Sequence, residues 1–412
     1  MKDTEIIAAL DIGTTKVCCV VATPSPGDEL SVVGIGNAPS TGVAKGAVNH
    51  FDRVVSGIVA AVREAELMAG CQIKNVYLGV AGGNVTCYNT RGVVGVRDTR
   101  RHVITEDDKR RAQRSALSLK ISPDEEILHQ IEQEYAVDDL TDIRDPLNMC
   151  GERLEVNMHV TTVSVNAIQN IVNCVKAAGL RVDDDDIILE SIASADAVLS
   201  PQEKEAGVAV LDFGGGTTDI AIFVNGAIRH TKVLNLGGND LTRDILKTLM
   251  IPMDAAEALK VENGCCYPRL LDSFEEPILI PAPGERRQEV GRHTLADILT
   301  SRTEEIFAHV NEEIIGSGFD SRVMEIVLTG GSSLLLGAAE LAREIFERPA
   351  RVGFPVTLGG LSRNVSSPKF SMVLGLLLFG YYRDQSWELA DDKKRKGFWG
   401  SLFSRFKKRL DA

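Results

Sequence analysis

The sequence has few aromatic residues, no excess of basic residues and no apolar run long enough to cross a bilayer. Aromatic residues make up 5% of its 412 residues, and Lys plus Arg total 45 against 58 Asp plus Glu, a formal net charge of −13. Binding a phosphate backbone needs the opposite charge balance, so the composition argues against a nucleic-acid-binding protein. The longest apolar run, 370–380, is too short to span a membrane and predicts a buried helix.

The sequence also lacks paired cysteines and a leader segment. Its eight cysteines form no CxxC pair, and several lie in apolar runs such as 17–21. This pattern is typical of buried, reduced thiols, not of disulfides or metal ligands. The first residues carry early acids and no apolar core of the kind that a signal peptide has. We therefore expect a cytoplasmic protein without a transmembrane anchor.

An internal repeat about 201 residues apart organises the chain. Residues 6–21 read IIAALDIGTTKVCCVV, and residues 207–224 read GVAVLDFGGGTTDIAIFV. Each copy has an apolar strand, a Leu-Asp-Xaa-Gly turn, a Thr-Thr pair and a second apolar strand. Alignment of Thr14-Thr15 with the second Thr-Thr pair makes Gly215-Gly216 an insertion. A further β-rich run follows each copy, so the sequence predicts a three-stranded meander opening each half.

Helical and strand patterns alternate after each meander. Helices are predicted over 52–69 and 167–178, and a strand over 325–329 precedes Gly330-Gly331 and a helix from about 334. Alternation of this kind predicts an α/β fold with two similar lobes. Three segments interrupt the pattern. A polar stretch at 85–161 is predicted to be an inserted small α+β domain, and a proline-containing stretch at 262–300 is predicted to form loops and short strands. Residues 383–397 are predicted to be a linker before a final helix.

The duplicated Asp-Xaa-Gly turns predict a phosphate clamp between the lobes. Glycine lets backbone N–H groups approach phosphate oxygens, and threonine hydroxyls add donors. Asp11 and Asp212 each end a strand, where a carboxylate can hold hydrated Mg²⁺. Lys16 can pair with a phosphate. The acidic run 183–186 is interpreted as a solvated loop and not as a metal site.

These motifs resemble the nucleotide-binding fold of actin, Hsp70 and sugar kinases, and most specifically the FtsA family of bacterial cell-division proteins. DIGTTK resembles the first phosphate loop, DFGGGTTD the second and TGGSS the adenosine loop, while LESIASADAVL at 189–199 resembles the connecting segment. The resemblance covers essentially the whole chain. It implies an actin-like, two-lobed fold of duplicated ribonuclease-H-like domains with an inserted SHS2-like domain. The implied division is a first lobe at 1–84, 162–196 and 366–384, an inserted domain at 85–161, a second lobe at 197–232 and 301–365, its subdomain at 233–300, a linker at 385–396 and a terminal helix at 397–412.

The resemblance also implies an ATP site with Mg²⁺ between the lobes. Glu257 and Lys260 would flank the ribose and adenine, although their spacing also fits a surface ion pair. Glu190 would orient the attacking water, although a carboxylate there can equally cap the following helix. The implied turnover is weak, so the protein is at most a slow ATPase. The implied ATP-binding residues are Gly13, Thr14, Thr15, Lys16, Gly214, Gly215, Gly216, Thr217, Gly238, Glu257, Lys260, Gly330, Gly331 and Ser333.

The last residues predict an amphipathic membrane-targeting helix. Residues 393–410 hold eight Lys or Arg and no acid. At 100° per residue, the apolar side chains fall within about 140° of arc, the pattern of a helix lying in a membrane surface rich in anionic lipid. Docking on the protein's own core or in a partner's groove remains an alternative. The apolar face is Phe398, Trp399, Leu402, Phe403, Phe406 and Leu410, and the basic residues are Arg405, Lys407, Lys408 and Arg409.

The resulting hypothesis is an ATP-binding, actin-like protein that polymerises and ties the tubulin-like protein FtsZ to the inner face of the cytoplasmic membrane at the division site. The resemblance places FtsZ on the 233–300 subdomain and other division proteins on the 85–161 domain. Three alternatives share the superfold. A small-molecule kinase would need a catalytic Asp between the lobes, an Hsp70-like chaperone would need a substrate domain after the ATPase, and a PilM-type pilus protein lacks such a tail.

Overall fold

A computed structural model of the chain describes residues 6–25, 29–82, 85–97, 102–272, 276–281 and 287–390. Its helices within those ranges are α1 (Phe51–Ala69), α2 (Glu106–Ala116), α3 (Val165–Ala177), α4 (Glu190–Val198), α5 (Pro201–Ala206), α6 (Gly238–Leu249), α7 (Met253–Asn263), α8 (Arg292–Gly316), α9 (Ala338–Phe346) and α10 (Ser371–Ala390). Its strands are β1 (Ile7–Ile12), β2 (Lys16–Ser25), β3 (Glu29–Pro39), β4 (Val43–Ala44), β5 (Ala47–Val48), β6 (Tyr77–Val80), β7 (Thr86–Gly95), β8 (Glu125–Val137), β9 (Leu140–Ile143), β10 (Arg153–Ser164), β11 (Ile187–Leu189), β12 (Val208–Phe213), β13 (Thr218–Val224), β14 (Ala227–Leu234), β15 (Ile278–Pro281), β16 (Arg287–Val290), β17 (Glu325–Thr329), β18 (Ala350–Val352) and β19 (Gly359–Gly360).

The first lobe is a six-stranded sheet covered by helices on both faces. Its strand order is β11-β6-β1-β2-β3-β19, with β1, β2 and β3 antiparallel and β6 and β11 parallel to β1. Strand β1 is apolar on both faces: Leu10 packs with the helices α1 and α3, while Ala9 packs with α10. Helix α1 approaches β3 closely because Gly36 has no side chain; a Cβ there would overlap the carbonyl oxygen of Ala61.

The second lobe repeats this arrangement. Its five-stranded sheet has the order β14-β13-β12-β17-β18, which matches β3-β2-β1-β6-β11 strand for strand. Helices α6, α7, α8 and α9 cover one face, and α4 and α5 contact the strands from the side of the first lobe. The predicted meander in each half and the two similar lobes are therefore confirmed. Parallel strands joined through helices place the carboxyl ends of β1 and β12 at one edge of each sheet, facing a common cleft.

The structure corrects the predicted alignment of the two copies. Ile7 pairs with Ala22 in the first copy, and Val208 pairs with Phe223 in the second. Val208 follows Ile7 by 201 residues, and Phe223 follows Ala22 by the same 201 residues. Nothing is inserted between them. Lys16 is therefore equivalent to Thr217. Thr14-Thr15 is equivalent to Gly215-Gly216, and not to the second Thr-Thr pair.

The inserted domain is an α+β unit, as predicted. Its antiparallel sheet has the order β7-β10-β8-β9, and α2 packs on β7 and β10. The domain contacts strand β14 of the second lobe through polar side chains. The side-chain amide of Asn89 donates to the carbonyl of Arg229 at 2.7 Å, and the side-chain amide of Gln133 donates to the carbonyl of Ile228 at 2.7 Å. Arg229 in turn pairs with Glu134 at 2.8 Å. The inserted domain, which is continuous in sequence with the first lobe, therefore contacts the second lobe at an interface of polar side chains, here called the seam.

Several predicted boundaries differ from the structure. Residues 292–300 begin the 25-residue helix α8, although the prolines before them predicted only loops and short strands. A 3₁₀ turn occupies Gly331–Leu334, and the helix expected from about 334 begins at Ala338. The chain returns to the first lobe before 366, since β19 pairs with β3.

The carboxyl-terminal end was predicted as a linker over 385–396 and a helix over 397–412. Helix α10 continues to Ala390, so the first part of the predicted linker is helical. The terminal amphipathic helix lies outside the described residues. Among the residues that the structure describes, no helix combines the length and apolarity needed to cross a membrane.

Candidate functional site

A cavity of about 530 Å³ lies between the two lobes at the carboxyl ends of β1 and β12. The two Asp-Xaa-Gly turns form one side of it, and α7 with the 330–336 segment forms the other. A volume of this size accommodates a nucleotide-sized ligand. The predicted site residues that line the cavity are Asp11, Gly13, Thr14, Thr15, Lys16, Glu190, Asp212, Gly214, Gly215, Gly216, Thr217, Glu257, Lys260, Gly330 and Gly331.

The two turns have the same hydrogen bonding. The N–H of Gly13 donates to the carbonyl of Lys16 at 3.0 Å, and the N–H of Gly214 donates to the carbonyl of Thr217 at 3.0 Å. The turns also face each other closely: a Cβ on Gly216 would lie 3.0 Å from Cβ of Thr14. Glycine at this position therefore lets the loops approach, and residues of both turns line the cavity. Such paired loops form an anion-binding cradle.

The opposite end of the cavity is held by a network around Lys260. Its Nζ lies 2.8 Å from Oε2 of Glu257, 2.9 Å from the carbonyl of Gly238 and 2.8 Å from Oγ1 of Thr242. The spacing of Glu257 and Lys260 predicted either an ion pair or cleft residues, and the structure shows both. Their side chains present one charge of each sign to the cavity, next to apolar Leu270.

Two predicted residues lie behind the cavity wall. Gly238 contacts the second turn through its N–H, which donates to the carbonyl of Gly214 at 2.9 Å. Ser333 is buried, and its hydroxyl donates to the carbonyl of Gly330 at 2.7 Å. The serine that does line the cavity is Ser332, whose hydroxyl donates to Gly214. Because the 331–334 segment is a 3₁₀ turn and not the start of an α-helix, its side chains point in directions that the sequence did not predict.

Three carboxyl groups line the floor of the cleft. Asp11 and Asp212 end β1 and β12, and Glu190 begins α4, which runs between the lobes. Burial raises the pKa of Asp11, and burial together with Asp219, Asp11 and Asp212 raises the pKa of Glu190 well above its usual range. Burial raises the pKa of Asp212 to about 6, although a hydrogen bond donated by Ser194 opposes the shift.

Asp219 was not predicted as a site residue. It is directly opposite Asp212 in the β12–β13 ladder, in the place that Cys18 holds opposite Asp11. Burial and the charge of Asp212 raise the pKa of Asp219 to about 8, and its Oδ1 is buried without a hydrogen-bond partner. Asp219 is the last residue of the motif DFGGGTTD, so the sequence contained the signal. The incorrect alignment of the Thr-Thr pairs did not place it opposite Asp212.

This acidic floor fits a cation held through water. Like charges this close favour protonation, and a divalent ion would relieve their repulsion. The unpartnered Oδ1 of Asp219 is an oxygen of the type that Mg²⁺ and its waters prefer. Within the described ranges, no group of three or more His, Cys, Asp or Glu side chains is placed to hold a metal ion directly. The run at 183–186 is a short turn whose Asp185 lies 3.7 Å from Arg383, and it remains interpreted as a surface loop.

Cationic side chains balance the floor. The ammonium of Lys16 lies 3.6 Å from Asp11, donates to the carbonyl of Lys369 at 2.6 Å and sits 4.2 Å from the ring of Phe370. The sequence did not single out Lys369 or Arg292, yet both line the cavity. They belong to segments distant along the chain from the motifs, so no spacing rule connects them with the turns. With Lys260, they give the cleft four positive groups.

Two repeated sheets, an inserted α+β domain and a cleft lined by paired glycine turns define a two-lobed protein of the actin-like class. The family model described as "Cell division protein FtsA" matches residues 209–375, and that described as "SHS2 domain inserted in FTSA" matches residues 82–162. A cell division protein FtsA from Pseudomonas aeruginosa is 42% identical over 91% of this chain and 89% of its own length. The relative from Escherichia coli K12 is 35% identical over 98% and 97%. The chain belongs to the FtsA family of cell division proteins.

Solved structures support the fold independently. A structure titled "PilM-PilN type IV pilus biogenesis complex" aligns with a TM-score of 0.64 at 17% identity, covering 91% of this chain and 98% of that one. MreB5 of Spiroplasma citri bound to ADP aligns with a TM-score of 0.54 at 15% identity, covering 93% and 99%. At these identities the likeness shows the actin-like fold alone.

Proposed function

We propose that the chain is an ATP-binding, polymerising division protein that ties FtsZ filaments to the cytoplasmic membrane. The observation that carries this proposal is the inter-lobe cleft with paired glycine turns in a chain of the FtsA family. A small-molecule kinase or an Hsp70-like chaperone would share the cleft, but neither would account for membership of this family or for its inserted domain.

ATP would lie with its phosphates between the two turns and its base beside α7. The backbone N–H groups near Gly13 and Gly214, with Lys16, would meet the phosphate oxygens. Glu257 and Lys260 would face the ribose and adenine, next to Leu270. Mg²⁺, when bound, would neutralise phosphate charge, and Asp11 and Asp212, with Asp219 beside Asp212, would hold its waters.

Hydrolysis would be slow, with the nucleotide serving mainly as an assembly ligand. Without a bound cation, burial and the charges of Asp219, Asp11 and Asp212 raise the pKa of Glu190 well above its usual range and so favour its protonated form. A protonated carboxyl cannot accept a proton from water, so it is a poor general base until its surroundings change. A ligand that binds one state preferentially is sufficient to shift an assembly equilibrium without turnover.

Self-association would use both lobes and the inserted domain. Strand β9 is the free edge of the inserted sheet, and Leu140 on it is 62% exposed. A contact between two different surfaces of identical chains does not close, so repeated head-to-tail contacts produce a filament. The inserted domain would also bind other division proteins, and the 233–300 subdomain would bind the carboxyl-terminal peptide of FtsZ.

The terminal residues 397–412 would hold the protein on the inner face of the membrane. The spacing of their aromatic and basic residues predicts an interfacial helix, and each basic residue near an anionic leaflet would contribute about 1 kcal/mol. A single helix of this length binds reversibly, but a filament presents many at high effective concentration. The proposal therefore links polymerisation with membrane attachment.

Electron microscopy on lipid monolayers tests the proposal. With ATP and anionic lipid, the full chain should form filaments on the monolayer; without nucleotide, filaments should be sparse. Neutral lipid should reduce the coverage because the basic residues then lack counter-charges. Equal coverage in all three conditions would contradict the role of both the nucleotide and the tail.

A further inference from the structure

A cysteine, a histidine and a glutamate form a row at the seam between the inserted domain and the second lobe. Cys87 lies on β7 of the inserted domain, His230 on β14 and Glu313 on α8. The Sγ of Cys87 is 3.6 Å from Nδ1 of His230, and Nε2 of His230 is 2.8 Å from Oε1 of Glu313. None of the three belongs to the cleft, so the proposed function leaves this row unused.

The three side chains are arranged so that a proton can pass from the thiol of Cys87 to the imidazole of His230, while Glu313 stabilises the imidazolium. The two nitrogens lie on opposite sides of the imidazole, so one faces the thiol and the other faces the carboxylate. Transfer of the thiol proton to Nδ1 gives a thiolate and an imidazolium whose two N–H groups donate to Sγ and to Glu313. A histidine held between a nucleophile and a carboxylate is the arrangement that activates cysteine thiols.

The surroundings favour the charged form of the pair. Burial alone would raise the pKa of Cys87, but the hydrogen bond and charge of His230 outweigh it and lower the pKa below the usual range. Burial opposes a raised pKa at His230, yet Cys87 and Glu313 together raise it. The other titratable group beside them, His159 on β10, has its pKa lowered to about 3 by burial, and its Nε2 lies 3.1 Å from Oγ1 of Thr231. His159 is therefore neutral and does not compete for the proton.

We propose that Cys87 is a site of thiol–disulfide exchange with low-molecular-weight disulfides. The thiolate Sγ attacks one sulfur of the disulfide, and the S–S bond of the small molecule breaks as the Cys87–sulfur bond forms. The departing thiolate takes the proton that His230 holds, so one thiol and one disulfide become a mixed disulfide and a free thiol. The adduct would stand at the seam, beside the contact of Asn89 with β14.

The other cysteines provide a comparison within one molecule. Burial raises the pKa of Cys18 and of Cys266 to about 12, so these thiols should not react. Cys150 is exposed and free, and it has no histidine among its described contacts. It is therefore the accessible thiol with which Cys87 is compared.

Oxidised glutathione is the probe, applied to the full chain from about pH 6 to about pH 8. Peptide mass spectrometry gives the rate of glutathione addition at Cys87 and at Cys150. A thiol gains about tenfold in thiolate per pH unit below its pKa, and it gains less as the pH approaches its pKa. The rate at Cys87 should rise less steeply with pH than the rate at Cys150, because the contact with His230 lowers the pKa of Cys87. The slope is independent of the different accessibility of the two sites.

Two variants separate activation from exposure. His230→Gln should steepen the slope at Cys87, since it removes the proton acceptor, and Glu313→Gln should steepen it by less. Cys18 and Cys266 are buried and should stay unmodified in both variants, which reports that the fold persists. Equal slopes at Cys87 and Cys150 in the unmodified chain would overturn the proposal, and so would a flat slope at Cys87 that survives His230→Gln.

Discussion

Asp219→Asn should stabilise the nucleotide-free protein at alkaline pH. Asp219 faces Asp212 across the β12–β13 ladder, and the pKa of Asp219 rises from 3.8 to about 8 through burial and that neighbouring charge. Each pKa unit corresponds to about 1.4 kcal/mol, so ionising Asp219 in the folded state costs on the order of 5 kcal/mol. Asparagine removes this cost but weakens the hydrogen bond from Thr217, a loss of about 1–2 kcal/mol. The expected net gain is about 3 kcal/mol.

The sign and the pH window follow from the raised pKa. A folded-state pKa above the unfolded value means that the folded protein binds the proton more tightly, so stability is lost as pH rises from about 4 to about 8. Asp212 adds a loss between about 4 and about 6. Below pH 4, where Asp219 is protonated, Asp219→Asn should be less stable than the wild type by about 1–2 kcal/mol, the loss from the weakened hydrogen bond. The difference should change sign as pH rises and level off above pH 8.

Urea unfolding measured at several pH values between 5 and 9, with nucleotide and Mg²⁺ absent, provides the test. Asp184→Asn is the matched control, since Asp184 is exposed in the acidic turn and the substitution removes the same charge. It should shift the free energy of unfolding by less than about 0.5 kcal/mol. If Asp219→Asn is no more stable than the wild type at pH 9, the carboxyl groups of the cleft floor do not repel one another as described. The same variant should weaken Mg²⁺-dependent ATP binding.

Three further predictions concern the cleft and the filament. Gly331→Glu should weaken ATP binding at least about tenfold by calorimetry, because it adds a negative charge to a cavity wall with room for the side chain: Lys369 is the nearest described neighbour of a new Cβ, at 3.9 Å. Gly331→Gln should keep the wild-type affinity, and equal affinities in both variants would refute the site. Glu190→Gln should bind ATP normally yet release phosphate at least about tenfold more slowly than a wild type whose own turnover is well below ~10 s⁻¹; an unchanged rate would exclude Glu190 as the water-orienting group. Leu140→Glu should bind ATP but form few filaments on lipid monolayers, and filaments of normal length would remove the β9 edge from the self-association surface.

The repeated sheet was predictable because its signal is local. An apolar strand, an Asp-Xaa-Gly turn and a second strand recur with one spacing, and strand pairing follows from the short turn between them. The error in the alignment of the turns arose from matching letters: Thr14-Thr15 and Thr217-Thr218 are identical, but the hydrogen bonds of Gly13 and Gly214 place them out of register. The same error hid Asp219.

Features that depend on distant segments were not predictable. The inserted domain meets β14 through side-chain amides such as Asn89, which bonds a carbonyl 140 residues away. Likewise, Lys369 enters the cleft because α10 returns the chain to the first lobe. Neither contact leaves a periodic pattern in the sequence. The prolines before Gly291 led to a prediction of loops and short strands as far as residue 300. In the structure the loop region ends at Gly291, and helix α8 begins at Arg292.

Co-flotation of FtsZ with anionic vesicles tests the central proposal most directly. With the full chain and ATP present, FtsZ should float with the lipid. It should remain at the bottom of the gradient when the chain carries Trp399→Glu and Phe403→Glu, because two charges then interrupt the apolar face. Ser401→Glu with Ser404→Glu adds the same charge to the polar face and should still carry FtsZ to the lipid. If FtsZ floats equally well with the Trp399→Glu and Phe403→Glu protein, the terminal helix does not attach FtsZ to the membrane.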